Sequence, residues 1–286
     1  MDVCRFRNVN REIRPGLLTD DRRHVRDLGA AGLDRLDVLL EADDPQGELK
    51  RLAARDLPRV AIEAVELCTP IDRQEIWAAG VTYQRSKVAR MDESDFSATA
   101  YDRVYDAERP EIFFKCLAEK AIPPGQPVGI RRDATWNVPE PELTLVLNSR
   151  GRLVGCTIGN DMSSRDIEGE NLLYLPQAKI YDRSCAVGPW IALGAAEADA
   201  RGWTIRLEVR RGGAVVFAGE TSASQIKRTF DNLAEHLFRC QVFPHGAMLL
   251  TGTGLIPPDS FTLHAGDLVN IHISGIGTLS NPVVVV

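Results

Sequence analysis

The chain has 286 residues, with 34 basic against 40 acidic side chains, a net charge of −6 and a pI near 5.5. That length supports a substantial core without disulfides or zinc, and the lack of a basic field argues against nucleic acid as a partner. The six cysteines (Cys4, Cys68, Cys116, Cys156, Cys185, Cys240) are widely spaced and form no C-x-x-C pair, so they read as buried thiols of a reducing cytoplasm.

The opening stretch MDVCRFRNVNREIRPG is charged where a signal peptide would be apolar, and no apolar run approaches the roughly 18 residues of a membrane span. A soluble, cytoplasmic protein is expected. Residues 1–75, rich in Arg, Asp, Leu and Ala, form a small N-terminal domain or arm, with helical spacing in LDRLDVLLEA (33–42) and GELKRLAARD (47–56). Short strands begin at 65–83. The long polar segment 84–110 precedes the strand EIFFKC and has the character of a lid. From there to the end, Gly, Pro and β-branched residues predominate, so 76–286 reads as one β-rich body and the fold class as β-rich α+β. RLEVRRGGAVVF is a hairpin turning at Gly212 and Gly213. TSASQIKRTFDNLAEHLFRC (221–240) is the one late helix, with Ile226, Phe230, Leu233 and Leu237 at helical spacing.

The chemistry concentrates at VPEPEL (138–143). On a strand, residues two apart share a face, so Glu140 and Glu142 project one way while Leu143, Leu145 and Leu147 line the other. NSRG (148–151) turns the chain, and the return strand ends at Asp161. A three-residue loop at 149–151 pairs 148 with 152 and puts Glu140 opposite Asn160, one residue short of Asp161. A bulge or bend near Gly159 is needed to bring Asp161 to the glutamate side. Three converging carboxylates repel unless one is protonated or a cation sits among them, and an all-oxygen set favours Mg²⁺ first, then Mn²⁺ or Ca²⁺. Taken alone, E-x-E more often marks two glutamates facing solvent on an edge strand.

The surrounding motifs bear on that choice. PEPEL, TIGNDMSSRD (157–166), LPQAK (175–179), GP (188–189), TGTG (251–254) and GDLVNIHISGIGTLSNPV (266–283) occur in an order that resembles the fumarylacetoacetate hydrolase superfamily over roughly residues 75–286. The resemblance implies a mixed β-roll with a smaller N-terminal domain, assembly as a homodimer or homotetramer, and Mg²⁺ or Mn²⁺ held by Glu140, Glu142 and Asp161.

Superfamily membership leaves the reaction open. Members that hydrolyse C–C bonds carry a histidine shortly after the entry strand, where this chain has Thr82 to Ser86 (TYQRS), and its five histidines (24, 236, 245, 264, 272) leave 25–235 without one. SSRDIEGENLLYLPQAK is similar instead to the 2-keto-3-deoxy-pentonate dehydratases, which form 2,5-dioxopentanoate. In that subgroup the lysine of LPQAK and a glutamate after the lid are the acid/base pair, by position Lys179 and Glu111. A 2-keto acid chelated to a divalent ion has acidified C3 protons, which a neutral Lys179 amine can take, and Glu111 among Ile112, Phe113 and Phe114 can protonate the C4 hydroxyl. Tyr83, Arg85 and Ser86 stand where the lid begins, as candidate substrate contacts. Arg165 is either a further contact or half of an ion pair with Asp166. Thr251, Gly252 and Thr253 are candidate donors to the substrate carboxylate or keto oxygen, or a plain turn. The competing readings are a 2,4-diketo acid C–C hydrolase on the same metal platform and a catalytically silent binding protein.

Overall fold

A computed structural model describes residues 1–84 and 103–286. Most of the expected lid, with Arg85 and Ser86, lies outside the described residues. Among them, three sheets account for the strands. The largest has eleven, running Arg59–Ala61, His24–Asp27, Ile13–Leu18, Asp2–Arg7, Cys185–Leu193, Leu153–Asp161, Pro141–Leu147, Ala247–Leu250, Glu75–Gly80 and Glu111–Cys116, with Glu66–Cys68 alongside Asp2–Arg7. Most pairs are antiparallel, but Ala247–Leu250 runs parallel to Glu75–Gly80, so the sheet is mixed, as expected. The residues before 75 contribute to this same sheet, Val3 pairing with Ile191. Helix there is confined to Leu36–Leu40, Pro45–Ala53 and two short 3₁₀ turns.

A five-stranded sheet covers one face of the large one. It contains Ala214–Ser222, Thr204–Arg211, Leu268–Ile273, Gly277–Val285 and Val128–Ile130. Its hairpin turns at Gly212 and Gly213, with φ of 55° and 85°, the left-handed pair that a two-residue turn between right-twisted strands requires. Strand alternation divides the interior between two cores. Leu143, Leu145 and Leu147 join Ile158, Leu207, Val209 and Ile271 between the sheets, whereas Val146 faces Met248, Leu250 and the N-terminal leucines Leu36, Leu39, Leu49 and Leu52. The strand Pro141–Leu147 is buried along its whole length, so Glu140 and Glu142 sit inside the protein rather than on an exposed edge.

Two expectations are corrected. The late helix is Phe230–Phe238 only, preceded by a 3₁₀ turn at Ala223–Gln225. Ser222 accepts from the Ser224 N–H and Thr229 from the Asn232 N–H at 3.1 Å, so two separate N-caps break the run that one apolar period joins. Ile226 is nevertheless buried with Phe230, Leu233 and Leu237. The second correction concerns the bulge. Leu147 pairs with Leu153 as the turn dictates, but Val146 pairs with Gly155, leaving Val154 as the extra residue. From there to the open end the register is shifted by one: Glu142 faces Gly159, Pro141 faces Asn160, and the Asp161 N–H donates to the Glu140 carbonyl. The required offset is thus introduced beside the turn and carried the length of the hairpin, not made locally at Gly159.

Candidate active site

Glu140, Glu142 and Asp161 converge at the open end of that hairpin. Each offers a carboxylate oxygen within 4.8 Å of the others, and all three are buried. Burial, then the charges of Asp161 and Glu140, push the Glu142 carboxyl well above the usual carboxylate range, opposed by Lys179 and by the Gly252 N–H, which donates to Glu142 Oε2 at 2.5 Å. Such a cluster stands in a folded protein only if a member takes up a proton or positive charge is brought to it.

Three side chains bring that charge. Lys179, the last residue of the helix Leu175–Lys179, donates from Nζ to Glu140 Oε2 at 2.6 Å, to Asp161 Oδ2 at 3.1 Å and to Ser163 Oγ at 2.5 Å. Arg165 Nη1 lies 3.2 Å from Glu140 Oε1, with its guanidinium carbon 5.6 Å from the centre of the Trp136 ring. Lys115 pairs with Asp161 and donates to the carbonyls of Met162, at 3.1 Å, and Lys179. Three formal negative charges therefore meet three positive ones. Donors that are all carboxylate oxygens, close together and buried, suit a hard divalent cation, Mg²⁺, Mn²⁺ or Ca²⁺, and the raised Glu142 shows the strain such an ion would relieve.

A cavity opens on this cluster. Its walls include Glu111, Glu168, Lys179, Phe113, Gly252 and Thr253. Glu111 begins the strand Glu111–Cys116 opposite Gly80, and a β-carbon built on Gly80 would lie 2.0 Å from Glu111 Oε2. The bare glycine is what lets the Glu111 carboxylate lie across its neighbouring strand toward the cavity.

Of the residues expected to bind substrate, Gly252 and Thr253 line the cavity. Thr251 is committed elsewhere, its hydroxyl donating to the Leu143 carbonyl at 2.8 Å and its own carbonyl accepting from Thr82 Oγ1 at 2.5 Å. Tyr83 is buried, at 1% exposure. Its burial, and then the Glu142 charge, raise the phenol. Arg165 belongs to the carboxylate cluster, whereas Asp166 accepts from the Thr135 N–H at 2.6 Å and the Thr135 hydroxyl at 2.9 Å. Sequence reasoning assigned no role to Lys115 or Glu168. Lys115 had a usable signal: a lysine inside an apolar strand, on the face that period two gives to Glu111 and Phe113.

Comparison with known proteins follows the same lines. The model of the fumarylacetoacetate (FAA) hydrolase C-terminal family matches residues 75–284. A Haloferax volcanii protein named "Probable 2-keto-3-deoxyxylonate dehydratase" is 48% identical over 217 residues, 76% of this chain and 74% of the relative. The 2-dehydro-3-deoxy-D-arabinonate dehydratase of Saccharolobus solfataricus is 39% identical over 225 residues, 78% of this chain and 76% of the relative. A solved structure of 2-keto-3-deoxy-D-arabinonate dehydratase with magnesium and 2,5-dioxopentanoate superposes with a TM-score of 0.83 at 30% identity, covering 100% of this chain and 99% of that one. Among the described residues, no helix is long and apolar enough to cross a membrane.

Proposed function

The chain belongs to the fumarylacetoacetate hydrolase family, and within that family we propose that it is a Mg²⁺-dependent dehydratase converting a 2-keto-3-deoxy-pentonate to 2,5-dioxopentanoate. The observation that carries the reading is the placement of Lys179 Nζ, 2.6 Å from Glu140 and 3.1 Å from Asp161, in a cavity that Glu111 also lines. The named relatives bear the names of dehydratases of this substrate class, one of them as probable, and the solved neighbour is a complex with magnesium and that product. No described histidine lines the cavity, so the general base expected of a C–C hydrolase has no counterpart there.

Glu140, Glu142 and Asp161 would hold the ion. Bound there, it would supply the positive charge that acidifies C3 of a 2-keto acid and favours the amine form of Lys179 over the ammonium. The protein's own groups do the rest. Lys179 Nζ removes a C3 proton, and Glu111 delivers a proton to the C4 hydroxyl as it departs. Arg165 steadies Glu140, and Lys115 steadies Asp161 and the end of the helix that carries Lys179. The Gly252 N–H orients Glu142. Phe113 and Leu175 give the cavity apolar wall that excludes water from the charged groups.

The decisive assay is incubation of the Mg²⁺-loaded protein with racemic 2-keto-3-deoxy-pentonate. The expected product is 2,5-dioxopentanoate, identified by NMR, and pyruvate or another C–C cleavage product would sink the dehydratase reading. The role of Glu111 has its own check in Gly80→Ala. The new methyl group meets only the far end of the Glu111 side chain within 3.4 Å, so the fold survives and the carboxylate is displaced. A turnover loss of about 10- to 100-fold with a nearly unchanged melting temperature is expected, on the scale of a misplaced general acid. Unchanged turnover would remove Glu111 from the reaction.

A further inference from the structure

We infer that Arg228 is a positioning residue of the reaction: it clamps the chain that leads into Glu111 and so sets where the Glu111 carboxyl stands against the metal-binding carboxylates. This rests on the dehydratase reading and deepens it. Glu111 opens the strand Glu111–Cys116, which ends the large sheet, three strands from Pro141–Leu147 and Glu142. An edge strand is held from one side only, here by Glu75–Gly80, with Glu111 opposite Gly80. Pro110 comes just before it and has no N–H to donate, so it cannot continue the ladder upstream. The end of a strand held so lightly opens readily. A general acid placed there needs a fastening further back along the chain.

Arg228 supplies one. Its Nη2 donates to the carbonyls of Val104 at 3.0 Å and Ala107 at 2.8 Å, and its Nη1 to that of Glu108 at 3.1 Å. Residues 103–106 are helical, and carbonyls at and just past the last turn of a helix have no partner within it, so one planar guanidinium caps them. Lys227 adds a second hold. Its Nζ donates to the Tyr105 carbonyl at 2.9 Å, pairs with Asp106, and lies 4.1 Å from the centre of the Tyr105 ring. The mount is firm: Arg201 donates to the Ile226 carbonyl at 2.8 Å and to the Arg228 carbonyl at 2.7 Å, and Ile226 and Phe230 on either side are buried.

The same pair reaches the metal-binding side of the site. The Lys227 N–H donates to the Thr82 carbonyl at 3.0 Å, and Thr82 Oγ1 to the Thr251 carbonyl at 2.5 Å. The N–H of the following residue, Gly252, holds Glu142. A run of bonds therefore leads from Glu142 to residues 227–228, and from there to the segment 104–108 that precedes Glu111. The acid and a metal-binding carboxylate lie on different strands, yet both are fastened to one point. Arg228 is not among the walls of the cavity, so it acts through Glu111 and not on the substrate.

Arg228→Ala, made in the wild type and in Glu111→Gln, tests this. In the wild type, kcat for 2,5-dioxopentanoate is expected to fall about 10- to 100-fold with KM within about threefold, the pattern of a catalytic group displaced by roughly 1 Å. In Glu111→Gln the same substitution should change the residual kcat less than about twofold, because residues that act as one unit are not additive. Arg228→Lys recovers part of kcat, since an ammonium also donates to carbonyls but lacks the fork. Without substrate, hydrogen–deuterium exchange of Arg228→Ala should rise over residues 104–113 and stay at the wild-type level elsewhere. Wild-type kcat in Arg228→Ala, an equal fold loss in both backgrounds, or exchange that rises across the whole chain would overturn the assignment. A wild-type protein that consumes no 2-keto-3-deoxy-pentonate would instead defeat the underlying dehydratase reading.

Discussion

Glu142→Gln is expected to lose turnover by about 10³-fold or more, beyond the 10- to 100-fold that outer partners of a metal site typically cost. The distinguishing feature is stability. In the metal-free protein Glu142 is the carboxyl that burial, and then the charges of Asp161 and Glu140, push toward protonation, so a neutral amide costs little there and its oxygen can still accept from the Gly252 N–H. The variant should melt at or above the metal-free wild type. Magnesium separates the two proteins. At 100 times its Kd, a ligand specific for the folded state adds about 2.7 kcal/mol, or about 5 °C at roughly 2 °C per kcal/mol for a chain of this size. The wild type should show that rise in differential scanning fluorimetry and Glu142→Gln should not. An equal magnesium-dependent rise in both would show that Glu142 is not a ligand.

Lys179→Ala should lose turnover by about 10²- to 10⁴-fold, the range of a general base, while metal binding is retained or tightened. The sign follows from the charge count. Lys179 Nζ contacts Glu140 and Asp161, two of the three carboxylates that would hold the ion, so its removal takes a competing cation out of the cluster. The metal-free variant pays for that loss, because breaking a buried pair by deleting one partner costs about 3–5 kcal/mol, and added Mg²⁺ should restore much of it. Mn²⁺ titration and melting curves with and without Mg²⁺ read this pattern directly. A Lys179→Ala protein with near-normal turnover would exclude the lysine as the base; one that cannot bind Mn²⁺ would mean that the lysine builds the metal site rather than acting on the substrate.

The order of motifs from PEPEL to TGTG placed this chain in its family. Period-two alternation put Glu140 and Glu142 on one face of their strand, with Leu143, Leu145 and Leu147 opposite. The turn at 148–152 could be read from its residues and holds, with the Asn148 N–H donating to the Arg152 carbonyl. Even the need for a one-residue offset followed from counting along the hairpin. The place of the bulge did not. Nothing in LVLNSRGRLVG marks Val154 as the extra residue, because a bulge is chosen by what the whole strand must pack against on both faces.

The same limit applied to the groups that complete the site. Lys179 was legible because it lies in a motif, and Glu111 because it follows the lid. Lys115 lies in no such motif, and Thr251 looks like a donor to substrate although its hydroxyl is held by the Leu143 carbonyl. The N-terminal 75 residues had the texture of a separate unit, yet Asp2–Arg7 pairs with Cys185–Leu193 in the central sheet. The sequence by itself determined the face of each strand, the chemistry of the carboxylate set and the family, all properties of neighbours along the chain. Only the tertiary structure decided the register and the cations that neutralise the carboxylates, because those contacts join residues as far apart as Lys115 and Lys179, 64 positions along the chain. Local preference has no reach over such separations; packing and charge balance across the folded sheets select them.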